Sequence, residues 1–196
     1  QRLGVLGDWK SPYSTMAFEA EAKIAEELGK ILMDGSLYRG AKPVMWSPVE
    51  KTALAEAEIE YEEHTSVTIH ARFPVQFSPL EVLKDANIVI WTTTPWTMPG
   101  NRAIAYGDDI VYRIINVSAV KDNVLLRNGD KLCVADELCD AVADALGIEA
   151  MTVCATVSGH ELAGTIASHP MVAYGYDFDV PLLAGNHVTT NQGTGF

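Results

Sequence analysis

No apolar run in the chain approaches the roughly 18 residues needed to span a bilayer. The opening stretch, with Arg2, Asp8, Trp9 and Lys10, lacks the short hydrophobic core of a signal peptide. A cytoplasmic protein without a membrane partner is expected. Cysteine is scarce: Cys133, Cys139 and Cys154 form an odd set of three with no CxxC spacing. No disulfide framework is needed, and all three are expected to be small buried hydrophobes. Basic residues are few as well, 14 against 26 acidic, for a formal net charge of −12. Such a surface repels phosphate backbones and argues against an autonomous nucleic-acid-binding module. His64, His70, His160, His169 and His187 are scattered, without the spacing of a common metal site. No metal ligand set is expected. Internal repeats and low-complexity tracts are absent too, and no linker exceeds a few residues.

With 196 residues and 48% hydrophobic composition, the chain is long enough to bury a substantial core. Between Ala17 and Met33 the residues Ala20, Ile24, Leu28, Ile31 and Leu32 recur at helical spacing, which predicts an amphipathic helix stopped near Asp34 and Gly35. A junction follows around Gly40. It divides a flanking segment, residues 1–40, from a main domain, residues 41–196. Beyond it the pattern turns to short β-like runs, predicted as strands at Val67 to Phe73, Ile88 to Thr93, Val111 to Val117, Asn123 to Leu126, Met151 to Val157 and Val188 to Thr190. A second helix is predicted from Asp136 to Leu146, with Gly147 as its stop. The fold class is therefore mixed α/β, a barrel-like or strongly curved sheet with peripheral helices. The alternating glutamates Glu56, Glu58, Glu60 and Glu62 read as a solvated face, and Asp177 and Asp179 as turn residues.

The most informative run is Trp91-Thr92-Thr93-Thr94-Pro95-Trp96-Thr97-Met98-Pro99-Gly100-Asn101, directly after the apolar Ile88-Val89-Ile90. Three successive threonines at a strand end cannot all face one side, yet their hydroxyls and amides can line a small polar cleft. Pro95 and Pro99 stiffen the backbone around them. Ile88 and Ile90 should face a core while Thr93 and Thr94 line a pocket. Threonine is also a plain strand former, and both tryptophans suit ordinary packing. No base neighbours the threonines in sequence, so a serine-protease-like nucleophile is unsupported.

The string WTTTPWTMPGN resembles the threonine-rich signature of the editing insertion in the isoleucyl-tRNA synthetase family, whereas the leucyl and valyl families carry a charged pattern at this place. Lys42-Pro43-Val44-Met45-Trp46-Ser47-Pro48 with Thr52 to Tyr61 is similar to that family's lead-in to the insertion. Here Ser47 and its neighbours carry none of the cysteines often found there. Arg2 to Trp9 and Pro12 to Met16 resemble the stretch of nucleotide-binding catalytic domain before it, and Gly193-Thr194-Gly195-Phe196 the start of its GTG-x-VH motif. The family's two ATP-site signatures, HIGH and KMSKS, are not in this chain.

The resemblance implies an editing domain that hydrolyses valine from tRNA(Ile), and perhaps valyl-adenylate, with Thr92, Thr93 and Thr94 in the catalytic role. Trp91, Trp96, Asn101, Gly193 and Thr194 are implied as substrate-binding residues, Asn101 by fixing the loop, and His187 joins them from its position, on the strand expected to approach the glycine turn at the pocket rim. It further implies a His and an Asp shortly after Phe196, the Asp anchoring the substrate's ammonium. Its partners would be the 3′ acceptor end of valine-bearing tRNA(Ile) and the other synthetase domains. No cofactor is implied in this chain, ATP and Mg belonging to the parent enzyme. A non-catalytic module that binds an aminoacyl group or peptide is the alternative.

Overall fold

The helical spacing of Ile24, Leu28 and Ile31 is realised in the computed structural model, which describes residues 2–4 and 6–196. Val5, within the opening Arg2 to Trp9 motif, lies outside the described residues. The chain divides into two units, residues 1–63 and 64–196.

In the first unit α1 spans Phe18–Met33, with Glu19 and Glu21 in its first turn and Lys30 in its last, both favourable to the helix dipole. Lys23 and Lys30 each pair with Glu26 and Glu27 one turn away. Asp34 ends the helix and Gly35 follows at φ 85°, as its freedom from a β-carbon predicts. No residue of α1 is buried. Two short strands, β1 (Trp46–Ser47) and β2 (Thr52–Ala53), pair antiparallel.

The second unit is an eight-stranded mixed sheet. Its strands are β3 (Ile69–Phe77), β4 (Ala86–Thr92), β5 (Ile104–Tyr106), β6 (Val111–Val120), β7 (Lys131–Ala135), β8 (Ile148–Ser158), β9 (Ile166–Ser168) and β10 (Asp179–Ala184). They lie in the order β5-β10-β9-β3-β4-β7-β6-β8. The β4–β7 and β5–β10 pairs are parallel and the others antiparallel. Among the described residues the edge strands β5 and β8 do not pair with each other, so the sheet is curved but open rather than a closed barrel.

Strand alternation sends side chains to two faces and makes two cores. Phe73, Ile88, Ile90, Tyr112, Ile114 and Leu182 belong to one. Val89, Ile115, Val117, Leu132 and Val134 meet Cys139 and Val142 in the other. The latter two belong to α2 (Cys139–Ala145), which follows a 3-10 turn at Asp136–Leu138. Gly147, at φ 72°, follows its end.

Several expectations need correction. Asn123 to Leu126 is a turn with Asn123 at φ 62°, and Leu126 uses its side chain to close the second core. Val188 to Thr190 is irregular, while the strand lies earlier, at β10, through Pro181. The strand expected to stop at Phe73 continues to Phe77. Pro74, which has no amide hydrogen, ends the pairing with β4, and Val75 begins the pairing with β9. Strand β7, with Leu132 to Ala135 all buried, was hidden among apolar residues that show no alternation.

Candidate functional site

Strand β4 is an interior strand, and its alternation decides which side of the sheet each residue of the threonine run addresses. Ile88 and Ile90 enter the first core, as expected. Thr92 is the next residue on that side, and it lines a cavity of about 190 Å³ with Ile90, Thr97, Met98, Asn101 and Phe196. Trp91 is paired with His70 of β3 and extends toward the other face. There it lines a smaller cavity of about 140 Å³ with His70, Val142 and Gly193.

The chain leaves the sheet at Thr93, so the pocket expected around Thr93 and Thr94 is arranged differently. Thr93 is exposed, and neither it nor Thr94 lines either of these cavities. Thr94 instead organises the turn. Its amide donates to Thr92 Oγ1 at 3.0 Å and the two hydroxyls lie 3.1 Å apart. The Thr97 hydroxyl donates to the Thr94 carbonyl at 2.7 Å. Pro95 opens a 3-10 turn, Pro95–Gly100, where its fixed φ and missing donor are harmless. Trp96 stands on the outside of that turn, 74% exposed. Asn101 closes it by donating its amide to the Met98 carbonyl at 3.1 Å.

The glycine-rich end packs against the same place. Gly193 sits beside Trp91, a β-carbon there meeting the indole at an ordinary 3.5 Å. The Thr194 carbonyl accepts from the Ala135 amide at 2.8 Å, extending the end of β7. Thr194 is buried and its hydroxyl has no partner among the described residues. Phe196 tilts over Tyr112 with ring centres 4.5 Å apart. The Tyr112 hydroxyl accepts from the Gly107 amide at 2.9 Å and donates to the Gly195 carbonyl at 2.6 Å. Burial pushes this phenol up to about 12. His187 is exposed in the turn after β10 and lines neither cavity.

The fold thus brings Trp91, Thr92, Asn101, Gly193 and Phe196 together, holds Thr94 behind them, and leaves Thr93, Trp96 and His187 facing outward. No charged residue lines the 190 Å³ cavity. Sequence reasoning did not select Thr97 and Phe196 as site residues, although both lie in quoted motifs. It also set His70 aside as a scattered histidine. Burial lowers the His70 imidazole from its ordinary value, favouring its neutral form beside Trp91. Among the described residues no three His, Cys, Asp or Glu side chains gather as a metal site requires. No described helix is long and apolar enough to cross a membrane.

The family model for class I tRNA synthetases (I, L, M and V) matches residues 1–168. The chain is similar to the isoleucine–tRNA ligase of Gluconobacter oxydans, 50% identical over 197 residues, covering all of this chain and 20% of the relative. It is 48% identical to that of Pelagibacter ubique over 195 residues, again all of this chain and 21% of the relative. The chain therefore spans about a fifth of the length of the curated relatives it matches. The crystal structure of GlLeuRS-CP1 aligns at a TM-score of 0.49 with 13% identity, over 66% of this chain and 52% of that one.

Proposed function

The chain belongs to the class I tRNA synthetases of the isoleucine, leucine, methionine and valine group, and on that premise we propose that it carries the site at which an isoleucyl enzyme hydrolyses valine wrongly attached to its tRNA. One methylene separates the two amino acids and is worth only about 1–3 kcal/mol, a figure for which isoleucine-against-valine selection by this very synthetase is the standard illustration. A second, smaller sieve supplies the remaining discrimination.

The observation that carries the reading is the small uncharged cavity at the end of β4, where Thr92, Thr97 and Asn101 meet apolar walls from Ile90, Met98 and Phe196. Apolar walls suit a short aliphatic side chain, and the polar groups suit an ester. Thr92 Oγ1 accepts from the Thr94 amide; when the Thr94 hydroxyl donates to it as well, both its lone pairs are engaged. Its own hydrogen is then left to donate into the cavity. A fixed donor of this kind stabilises the oxyanion that forms as water attacks the ester carbonyl, without a covalent enzyme intermediate. Thr94 acts through Thr92. In this reading the ammonium of the substrate is anchored by the Asp that the resemblance implies after Phe196. The acceptor end of the tRNA is the partner, and the acidic surface of this chain leaves capture of the rest of the tRNA to other domains of the synthetase.

The test uses the full-length synthetase. Thr92→Val and Asn101→Ala should each slow deacylation of valyl-tRNA by about tenfold or more, the effect of losing one oriented donor or its support. Isoleucine activation should hold within about twofold. Deacylation at the parental rate in both variants would remove the threonine turn from the mechanism. If both variants still bind a non-hydrolysable valyl-adenosine analogue and the parent enzyme also fails to hydrolyse the ester, the site is a binding module instead.

A further inference from the structure

His169 follows β9 in a Ser-His-Pro segment and is buried, 1% exposed. Both its ring nitrogens are engaged. The Met171 amide donates to Nδ1 at 3.1 Å, which places the ring hydrogen on Nε2, and Nε2 donates to the Met98 carbonyl at 2.8 Å. The imidazole is stacked on Tyr176 at 5.2 Å, with Phe178 tilted against it at 5.2 Å and Phe73 edge-on at 5.9 Å. The same Met98 carbonyl accepts from the Asn101 amide. One residue beyond Asn101, the Arg102 guanidinium lies 3.6 Å above the Phe178 ring, a cation–π contact. Asn101 is thus held between two contacts, Met98 on His169 and Arg102 on Phe178. His169 is not among the residues lining the 190 Å³ cavity.

We propose that His169 is a positioning residue for the hydrolytic site, one that fixes the Pro95–Gly100 turn so that Thr97 and Asn101 face the cavity; the proposal rests on the editing function assigned to that turn. Free of this clamp, the Met98 carbonyl loses its imidazole donor and keeps the Asn101 amide. The turn then samples orientations in which Asn101 leaves the cavity. The cost falls on the chemical step more than on substrate binding, because the wall residues that belong to strands, Ile90 of β4 and Ile104 and Ala105 of β5, stay in the sheet while only the turn shifts.

Three variants of the full-length synthetase test this. His169→Phe keeps the aromatic stack and removes both hydrogen bonds. His169→Gln returns an N–H near the Nε2 position, and His169→Asn returns an acceptor near Nδ1 but does not reach Met98. Valyl-tRNA deacylation should lose about tenfold or more in kcat in the Phe and Asn variants, with KM and isoleucine activation within about twofold, and Gln should recover to within about threefold. Hydrogen exchange should show the Asn101 amide about tenfold less protected in Phe and Asn than in Gln. Equal behaviour of Gln and Asn, or an Asn101 amide as protected as in the parent, overturns the positioning role. Should the Phe variant fail to fold, the Gln and Asn pair decides alone. An Asn101 amide that loosens while deacylation stays at the parental rate overturns the editing reading of the turn instead.

Discussion

Gly195 lies so close to Ala135 that a β-carbon built on the glycine would stand 2.3 Å from the alanine's own. The backbone there is also left-handed, at φ 84°. Gly193, two residues earlier, shares the left-handed backbone at φ 80° but has room for a β-carbon beside Trp91. Gly195→Ala should therefore cost about 2–4 kcal/mol, conformational strain plus overpacking, and Gly193→Ala about 1–2 kcal/mol, strain alone. Urea unfolding of both variants checks the order. A Gly193 variant as destabilised as the Gly195 one would show that space against Ala135 is not the deciding factor.

The same close approach presents the Gly195 carbonyl to the Tyr112 hydroxyl. Tyr112→Phe should cost about 1–3 kcal/mol at neutral pH, because it leaves that carbonyl and the Gly107 amide unpaired in the interior. The phenol is raised to about 12 in the folded protein, so its contribution is whole below pH 10, where the unfolded phenol is still protonated. Above pH 10 the unfolded state gives up the proton first, and the contribution is lost as pH rises toward about 12. Stability of the parent minus that of Tyr112→Phe, measured from pH 8 to 11, should be flat and then fall. Taking the difference removes the titration of other groups.

Only one of the three thiols is open to reagent. Against the expectation that all three are buried, Cys154 on the edge strand β8 is exposed, whereas Cys133 and Cys139 are buried and burial raises both thiols from their ordinary value. Since the thiolate is the reacting form, native protein should consume one equivalent of a disulfide reagent quickly and three in denaturant. Rapid modification of Cys139 in native protein would mean that α2 opens readily from the sheet.

Thr92 and Thr93 are neighbours in sequence with different surroundings. Thr92→Val removes the acceptor for the Thr94 amide and should cost about 1 kcal/mol, whereas Thr93→Val, on an exposed bend, should stay within about 0.5 kcal/mol. Thermal unfolding separates them. Equal shifts would indicate that the turn is held mainly by Pro95 and Pro99.

These contrasts mark where the sequence was readable. Ile88 and Ile90 were assigned to a core because period-two alternation needs only local information, and the same alternation, carried one step further, places Thr92 rather than Thr93 over the cavity. The helical spacing of α1 was readable for the same reason. Strand β10 was not, since Pro181 argues against a strand until β9 and β5 are seen on either side of it. Leu125 reads as part of a strand yet is 92% exposed in a turn, because apolar character alone does not set direction. In the site, the residues of the Trp91 to Asn101 run allowed a polar cleft or a plain strand end alike, and its role, like that of the glycine turn, was assigned only through resemblance. The His169 clamp left no local mark: a histidine between Ser168 and Pro170 looks like any loop residue, and its meaning depends on Met98, 71 positions away.

Strands β4 and β5 share the threonine cavity although β3, β9 and β10 lie between them in the sheet. Among the described residues strand β5 pairs only with β10, whose residues 179–184 are made long after Asn101. During synthesis the threonine turn leaves the ribosome with neither its far wall nor the His169 segment yet available. Pairings between distant parts of a chain form slowly, since the loop must close before any contact rewards it. The cavity is therefore expected to be among the last features of this sheet to be assembled. The threonine cavity is not closed until the sheet has curled round, and any mutation that delays the docking of β10 should delay the closing of that cavity by the same interval.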